Sequence, residues 1–174
     1  KTIEKISKEN MNRDLVTNFN IKTFKRLTNA ATAGHFAQHR NYYLNDEKID
    51  EAWHLGIDWA SVKKAPIKVS NPGMVIFNDY LGIYGNTIIV DHKLGLQTLY
   101  AHTSTSRVNL ADNVKENEQI GNTGTTGAVL GDHLHFGVLV QGIEVNPIEW
   151  MDANWIKTRI SDVIKEAKEA IDNK

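Results

Sequence analysis

Two short segments of the sequence place metal-ligating side chains at the spacing of a β-strand. His54 and Asp58 are four residues apart in HLGIDWA, and His133 and His135 are two residues apart in GDHLHFGVLV. Because side chains alternate between the two faces of a strand, each spacing puts its polar members on one face. Apolar residues occupy the alternate positions, as in half-buried strands. Since imidazole and carboxylate ligands together suit zinc, the two segments predict a metallohydrolase.

The candidate side chains outnumber the ligands that a catalytic zinc needs. Such a site usually has three protein ligands and an open position for water, whose pKa the metal lowers to about 7. His54, Asp58 and either histidine of the HLH motif would supply the three ligands. The other histidine and His102 would remain for proton transfer and stabilisation of an oxyanion. On its own, His102 is equally well explained as a structural histidine.

A different metal chemistry uses the same kinds of ligand. Two histidines and one carboxylate also form the facial triad of non-haem iron oxygenases. The familiar pairing in those enzymes is HxD, whereas this chain has HxxxD. Metal analysis of protein prepared without oxygen separates the two, because stoichiometric iron with oxygen-dependent turnover would overturn the zinc assignment.

Composition limits the other classes of function. The chain has 174 residues with 20 basic and 21 acidic side chains, which gives no electrostatic footprint for nucleic acid. It has no cysteine, so neither disulfides nor a cysteine-ligated zinc site is expected. The sequence contains no run of about 18 apolar residues, so no membrane contact is expected from this fragment. Because the sequence starts at Lys1 rather than Met, we expect any signal peptide or membrane anchor to lie upstream.

The hydrophobic pattern predicts a mainly β (α+β) fold, in which an antiparallel sheet carries a substrate groove between flanking helical segments. We expect a helical or irregular extension over residues 1–33, a catalytic domain over 34–150 and an amphipathic helix over 151–174. Packing of that last helix against the domain's own core is preferred to partner binding. Within the central part, 34–50 reads as a long loop or hairpin and HLGIDWA as one strand. Further strands are predicted at 67–70, 73–78, 86–91, 96–102, 119–122, 133–140 and 143–145.

Several other features have structural explanations. His92 follows a turn and is interpreted as structural, whereas His35 and His39 either line the groove or are solvated. The four tryptophans are expected to pack in the core or at the ends of the sheet. The glycine-rich run 121–127 lacks the Lys and Ser/Thr of a P-loop, so it predicts a flexible turn rather than a nucleotide site.

Five motifs, in this order, resemble the LytM/lysostaphin-type zinc endopeptidases of bacterial cell walls. They are HLGID, YGNTIIVDH, LYAH, IGNTGTTG and GDHLHF, and the resemblance runs from about residue 34 to 150. It implies the family's antiparallel sheet and groove. It also implies zinc ligands at His54, Asp58 and His135, with catalytic histidines at His102 and His133.

The resemblance further implies hydrolysis of cross-linked peptides in peptidoglycan. The segments flanking the motifs are most similar to an envelope-anchored, Gram-negative, cell-shape-determining branch, which implies the periplasm or cell envelope. Some members of the family are non-catalytic scaffolds that regulate other hydrolases, and whether this chain works as a homodimer or beside a paralogue stays open. Two departures, Thr103 after the YAH histidine and a longer segment before His54, alter the rim of the groove without removing a ligand.

Overall fold

The computed structural model describes residues 2–10 and 19–173. The helices are α1 (Ile3–Glu9), α2 (Ala153–Ile156) and α3 (Asp162–Asp172), with a π-helical segment at Lys157–Ser161 and 3-10 turns at Gly82–Tyr84 and Glu149–Met151. The strands are β1 (Ala31–Gly34), β2 (Gln38–Leu44), β3 (Glu47–His54), β4 (Ile57–Ala60), β5 (Pro66–Lys68), β6 (Gly73–Tyr80), β7 (Asn86–Asp91), β8 (Leu96–Ala101), β9 (Thr103–Ser106), β10 (Asn113–Val114), β11 (Gln119–Thr123), β12 (Leu134–Val140) and β13 (Ile143–Val145).

Eight strands form one central sheet, in the order β1-β4-β12-β8-β7-β6-β10 with β13 also paired to β12. A three-stranded sheet has the order β5-β11-β9, and β2 pairs with β3 in a separate ribbon. The pairings within the described residues are antiparallel, as between β12 and its neighbours β4 and β8. The predicted mainly β fold with an antiparallel sheet and flanking helices is therefore confirmed.

Alternation along β12 separates the core from the face that carries the candidate site. Leu134, Phe136 and Val138 are buried in the main hydrophobic core, where the Phe136 ring stacks on Trp59 with centroids 5.1 Å apart. Burying such side chains contributes about 1.5–3 kcal/mol each. His135 and Leu139 point to the opposite face, which we call the site face. The apolar pattern of the motif thus fixes the direction of its second histidine.

Helix α1 covers part of the site face. Ile3 and Ile6 pack in a second hydrophobic cluster with Leu139 and Leu99 of the sheet. The Ser7 hydroxyl contacts the Gln97 side chain, whose Nε2 in turn donates to the Ser7 carbonyl at 3.3 Å. The helix consequently bounds the open part of the site face at one end.

Among the described residues of the predicted N-terminal extension, only those of α1 are helical. Thr2 caps this helix, since its Oγ1 accepts a hydrogen bond from the Lys5 amide at 3.3 Å. Residues 19–30 contain no helix, although Ile21, Phe24 and Leu27 are buried in the main core. Leu15, another apolar residue of the predicted extension, lies outside the described residues. The division of the chain at residues 33 and 150 stays a prediction.

The prediction of one continuous strand through HLGIDWA is wrong. His54 ends β3 and Asp58 lies in β4, with a break at Leu55 and Gly56. The chain crosses here from the ribbon into the central sheet, and a Cβ on Gly56 would lie 2.6 Å from His135 Nε2 and 2.7 Å from the Phe136 carbonyl oxygen. Because only glycine permits that approach, the break brings His54 and Asp58 together by a turn rather than by strand alternation.

Two segments predicted as loops or turns are more ordered than expected. Of the two alternatives for residues 34–50, the hairpin is correct, because β2 and β3 pair from Gln38 with His54 to Leu44 with Glu47. The glycine-rich run is not merely a flexible turn. Its first part belongs to β11, and Gly124 forms a β-bridge with His133.

The C-terminal helical region was expected to pack on the core, and only its first part does so. Ile156 is buried, and Trp155 and Ile160 pack against the main core. Helix α3 has no buried residue.

The expected core packing is also wrong for Trp53, which is 62% exposed. In the described ranges, no helix combines the length and apolar character needed to cross a membrane.

Candidate metal centre and its flanking histidines

Three ligand atoms converge on the site face. His54 Nε2 lies 3.0 Å from Asp58 Oδ1 and 2.9 Å from His135 Nδ1, and the third side, from His135 Nδ1 to Asp58 Oδ1, is 3.0 Å. We call these three atoms the ligand triangle. All three residues are buried. Two imidazole nitrogens and one carboxylate oxygen at these separations form a donor set that suits zinc.

The protonation of the triangle shows that it fits a cation. His54 Nδ1 lies 2.7 Å from the carbonyl oxygen of His35, which can only accept, so Nδ1 carries the proton. In a neutral ring Nε2 is then a bare acceptor, and it faces the carboxylate oxygen of Asp58 at 3.0 Å. The single Nδ1 proton that His135 can offer does not satisfy both acceptors. A metal ion would satisfy all three atoms together.

Strand register brings the triangle together. His135 on β12 is directly opposite Asp58 on β4 and, across its other edge, Ala101 on β8. Side chains of paired residues lie on the same face, so Asp58 and His135 meet there. His102, the residue after β8, therefore arrives at the same level of the sheet as His135.

The charge of Asp58 is stabilised by its neighbours. Burial opposes ionisation of this carboxyl, but hydrogen bonds with His135, His54 and Arg40 outweigh the burial and hold its pKa below the usual range. Arg40 Nη2 donates to Asp58 Oδ2 at 2.7 Å. Asp58 is therefore a carboxylate at neutral pH, as a metal ligand must be.

His102 and His133 flank the triangle, and we call them the flanking pair. Their ring centroids are 4.8 Å apart, and the His102 ring is 5.9 Å from that of His135. His133 Nε2 lies 3.7 Å from Asp58 Oδ1, which is beyond hydrogen-bond distance. The structure thus places all five predicted site residues in one cluster, and it brings three of them into closer contact than the other two.

Both members of the flanking pair are held by backbone carbonyls. Nδ1 of His102 lies 2.9 Å from the Thr126 oxygen, and Nδ1 of His133 lies 2.9 Å from the Gly131 oxygen. Each Nδ1 therefore donates, which leaves Nε2 as the basic nitrogen of the neutral ring. Burial lowers the pKa of His102 to about 4, so this ring is neutral at pH 7. Through their Nε2 atoms the two imidazoles can accept and return protons.

The backbone at His102 adopts a conformation that side chains disfavour. Its φ is +60°, in the left-handed region. The amide of His102 donates to the Tyr84 carbonyl at 2.9 Å, which helps to hold the residue there. Strain of this kind costs on the order of 1 kcal/mol or more and is found preferentially at functional sites.

Sequence reasoning missed groups that hold the side chains of Asp58, His54 and His102. Arg40, the His35 carbonyl and the Thr126 carbonyl all lie in segments that read as polar loops or turns. The predicted structural role of His92 is confirmed, because its ring is buried between the Pro72 carbonyl, 2.9 Å from Nδ1, and the Thr98 hydroxyl, 2.8 Å from Nε2. The His39 side chain is 42% exposed and its ring contacts that of Trp53 with centroids 4.9 Å apart, so it belongs to the ribbon surface.

A cavity of about 420 Å³ lies beside the triangle. Tyr84 links the two, because it lines the cavity and its ring centroid is 5.3 Å from that of His135. Thr2 and Glu4 near the start of α1, together with Glu144 of β13, also line it. The cavity therefore adjoins the site through Tyr84, although none of the five site histidine and aspartate residues lines it.

The comparisons with known proteins agree on one family. The profile of Peptidase family M23 matches residues 52–147, which include the ligand triangle and the flanking pair. The DD-carboxypeptidase/endopeptidase Mpg of Neisseria meningitidis is 39% identical over 95 residues, or 55% of this chain and 22% of Mpg. The chain thus spans less than a quarter of that relative.

Two further relatives extend the comparison. A zinc containing peptidase from Vibrio cholerae is 27% identical, with a TM-score of 0.62 over 78% of this chain and 40% of its own. Stage II sporulation protein Q of Bacillus subtilis is 29% identical over 153 residues, which are 84% of this chain and 52% of that protein. A chain of a solved SpoIIQ-SpoIIIAH pore forming complex shares the fold, with a TM-score of 0.68 at 24% identity over 77% of this chain and 94% of its own.

The profile match covers more than half of the chain and coincides with the strands that carry the site. Its relatives include named peptidases and a protein that takes part in a complex. The resemblance to LytM-type enzymes inferred from the five motifs is thereby confirmed. This chain belongs to Peptidase family M23.

Proposed function

We propose that this chain is a zinc-dependent endopeptidase that hydrolyses peptide cross-links of bacterial peptidoglycan, and specifically a D,D-endopeptidase. The observation that carries the proposal is the ligand triangle beside two imidazoles that are not part of it. Three ligands account for the metal, and the remaining pair supplies the proton chemistry that amide hydrolysis needs. Membership of a peptidase family supports the reaction class.

The residues divide into two roles. His54, Asp58 and His135 would hold the zinc, which when bound acts as a Lewis acid and lowers the pKa of water in its open position. His133 is poised at Nε2 to take a proton and deliver it to the leaving amine. His102, whose Nδ1 is held by the Thr126 carbonyl, is poised at Nε2 to accept a proton.

The substrate class is supported by the relatives. Mpg is named a DD-carboxypeptidase/endopeptidase, and a Vibrio cholerae relative, 35% identical over 94 residues, is named a peptidoglycan DD-endopeptidase. Because peptidoglycan lies in the cell envelope, we propose that the chain acts there, in the periplasm of a Gram-negative cell. In the same proposal, a segment upstream of this chain anchors the full-length protein to the membrane. A role in cell shape is part of the same proposal.

Digestion of purified, cross-linked muropeptide dimers tests the function. We expect zinc-loaded protein to convert dimers to monomers, and a chelator to abolish the conversion until zinc is restored. His39→Ala is a matched control, since it removes an exposed imidazole outside the site. If dimers persist in the presence of fully zinc-loaded protein, the proposed endopeptidase activity is refuted.

A second candidate is a partner-dependent scaffold or regulator of other wall hydrolases. Stage II sporulation protein Q matches 84% of this chain, a larger share than Mpg matches, and a SpoIIQ complex shares the fold. Such a protein would not cleave dimers on its own. Cleavage that starts only when a paralogous protein is added would favour this candidate, whereas cleavage by the isolated chain would exclude a purely structural role.

A further inference from the structure

The ribbon formed by β2 and β3 presents Arg40 to the site. In the described part of the chain these two strands pair only with each other. Gln38 is opposite His54, and Arg40 is opposite Ala52, so Arg40 and His54 lie on the same face of the ribbon. The ribbon therefore supplies one corner of the ligand triangle and, two residues along the face, a guanidinium group.

The two oxygens of Asp58 have different partners. Oδ1 lies 3.0 Å from both His54 Nε2 and His135 Nδ1, and it forms a corner of the triangle. Oδ2 accepts a hydrogen bond from Arg40 Nη2 at 2.7 Å. The Asp58 side chain is 8% exposed and the Arg40 side chain 33% exposed, so the carboxylate side of this ion pair is the buried one. Arg40 thus occupies the oxygen that the triangle does not use.

Gly34 makes room for this contact. A Cβ on Gly34 would lie 2.4 Å from Arg40 Nη2 and 2.6 Å from Asp58 Oδ2. The φ of Gly34 is not positive, so its backbone conformation does not require glycine. The absence of a side chain here serves the approach of Arg40 to Asp58.

We propose that Arg40 is a positioning residue that restricts Asp58 to binding the metal through Oδ1 alone. A free carboxylate can turn and chelate a cation through both oxygens, which raises the coordination number and removes the open position. A charge-assisted hydrogen bond to Oδ2 prevents that rotation. Groups that orient a metal ligand in this way commonly change metal affinity about 10–100-fold when removed. The inference rests on the proposed function, because it requires a metal in the triangle.

Cobalt loading tests the inference independently of catalysis. Co²⁺ replaces zinc in sites of this kind, and its visible absorption is stronger in four-coordinate than in five- or six-coordinate geometry. We would compare wild type, Arg40→Gln, Arg40→Lys and, as a matched control for the lost charge, Arg159→Gln on the exposed part of the C-terminal helical region. Zinc affinity would be measured by competition with a chromophoric chelator, and folding of the metal-free proteins by circular dichroism.

The variants have distinct expected results. Arg40→Gln weakens zinc binding by about 10–100-fold and reduces the visible absorption of the cobalt form. Arg40→Lys keeps the charge and so falls between Arg40→Gln and wild type, while Arg159→Gln matches wild type. Arg40→Lys also carries the test if Arg40→Gln does not fold.

Two outcomes would overturn the inference and are distinguishable. Wild-type spectra and zinc affinity in both Arg40 variants, with normal metal uptake by wild type, would refute the positioning role and leave the proposed function intact. Failure of wild type to take up either metal would refute both.

Discussion

The ligand triangle and the flanking pair are built from the same imidazole group, yet different neighbours hold them. In the triangle, two ring nitrogens share one carboxylate oxygen at 3.0 Å. In the flanking pair, each Nδ1 donates to a backbone carbonyl, as Nδ1 of His54 also does, but His133 Nε2 stays 3.7 Å from that carboxylate oxygen. The comparison teaches that the distance from a ring nitrogen to the shared carboxylate oxygen, more than a backbone partner or presence in the cluster, separates the candidate ligands from the candidate proton carriers.

The largest expected effect is loss of the metal. His135→Ala removes one corner of the triangle and leaves the oxygen of Asp58 facing a single imidazole. We expect zinc affinity to fall by more than about 100-fold, measured by chelator competition, and cleavage of dimers to disappear with it. Because Leu134 and Phe136 on the other face of β12 are untouched, the variant should remain folded. Retention of zinc at the wild-type level would place the metal elsewhere.

The next effect separates the flanking pair from the triangle. His133→Ala and His102→Ala should keep about one zinc per chain while turnover falls by roughly 10²–10⁴-fold, the usual contribution of general acid–base catalysis. Elemental analysis and single-turnover cleavage of muropeptide dimers measure the two quantities on one sample. If either variant lost zinc as completely as His135→Ala, that histidine would have to be counted among the metal ligands, and the assignment of separate roles to the triangle and the flanking pair would be wrong.

A third kind of histidine sharpens the comparison through pH. Burial lowers the pKa of His92 from 6.5 to about 4. The neutral ring therefore contributes stability that is fully present above pH 6.5 and is lost as pH falls towards 4, because the unfolded chain binds a proton there and the folded chain does not. The loss amounts to about 3 kcal/mol.

Urea unfolding of metal-free protein at several pH values checks this effect. We expect the free energy of unfolding to fall less steeply between pH 6.5 and 4 in His92→Gln than in wild type. Zinc content and cleavage at pH 7 should not change. Parallel pH profiles for the two proteins would show that His92 is not buried as a neutral ring.

The smallest expected effect comes from His39, whose ring contacts that of Trp53 at the surface of the ribbon. His39→Ala should change the free energy of unfolding by no more than about 0.5 kcal/mol and leave zinc affinity unaltered. Isothermal titration with zinc and thermal unfolding would measure both. A marked loss of zinc would mean that the outer face of the ribbon contributes to the site.

The sequence was sufficient to predict the strand that carries His135 and the face to which this residue points. Alternation from Leu134 to Leu139 depends only on the two-residue period of a strand, which the buried core enforces. The spacing of His54 and Asp58 predicted that the two side chains would meet, but for the wrong reason. They meet across a turn at Gly56, whose need for glycine comes from His135 and Phe136, far away in the sequence.

The supporting groups could not be predicted in the same way. Arg40 reaches Asp58 because an isolated ribbon folds back over the sheet, and no local pattern encodes that direction. The Thr126 carbonyl that holds His102 is a backbone group, so residue type carries no signal for it. Helix α1 covers part of the site face through contacts about 90 residues apart in the chain, which periodicity within a short window does not report.

The central claim is that the triangle holds the metal and the flanking pair does not. A crystal structure with anomalous scattering recorded at the zinc absorption edge tests it most directly. We expect one anomalous peak within about 2.1 Å of His54 Nε2, Asp58 Oδ1 and His135 Nδ1, with His102 and His133 outside bonding distance. A peak bonded to either flanking histidine would contradict the claim, and an iron edge in place of zinc would overturn the zinc assignment.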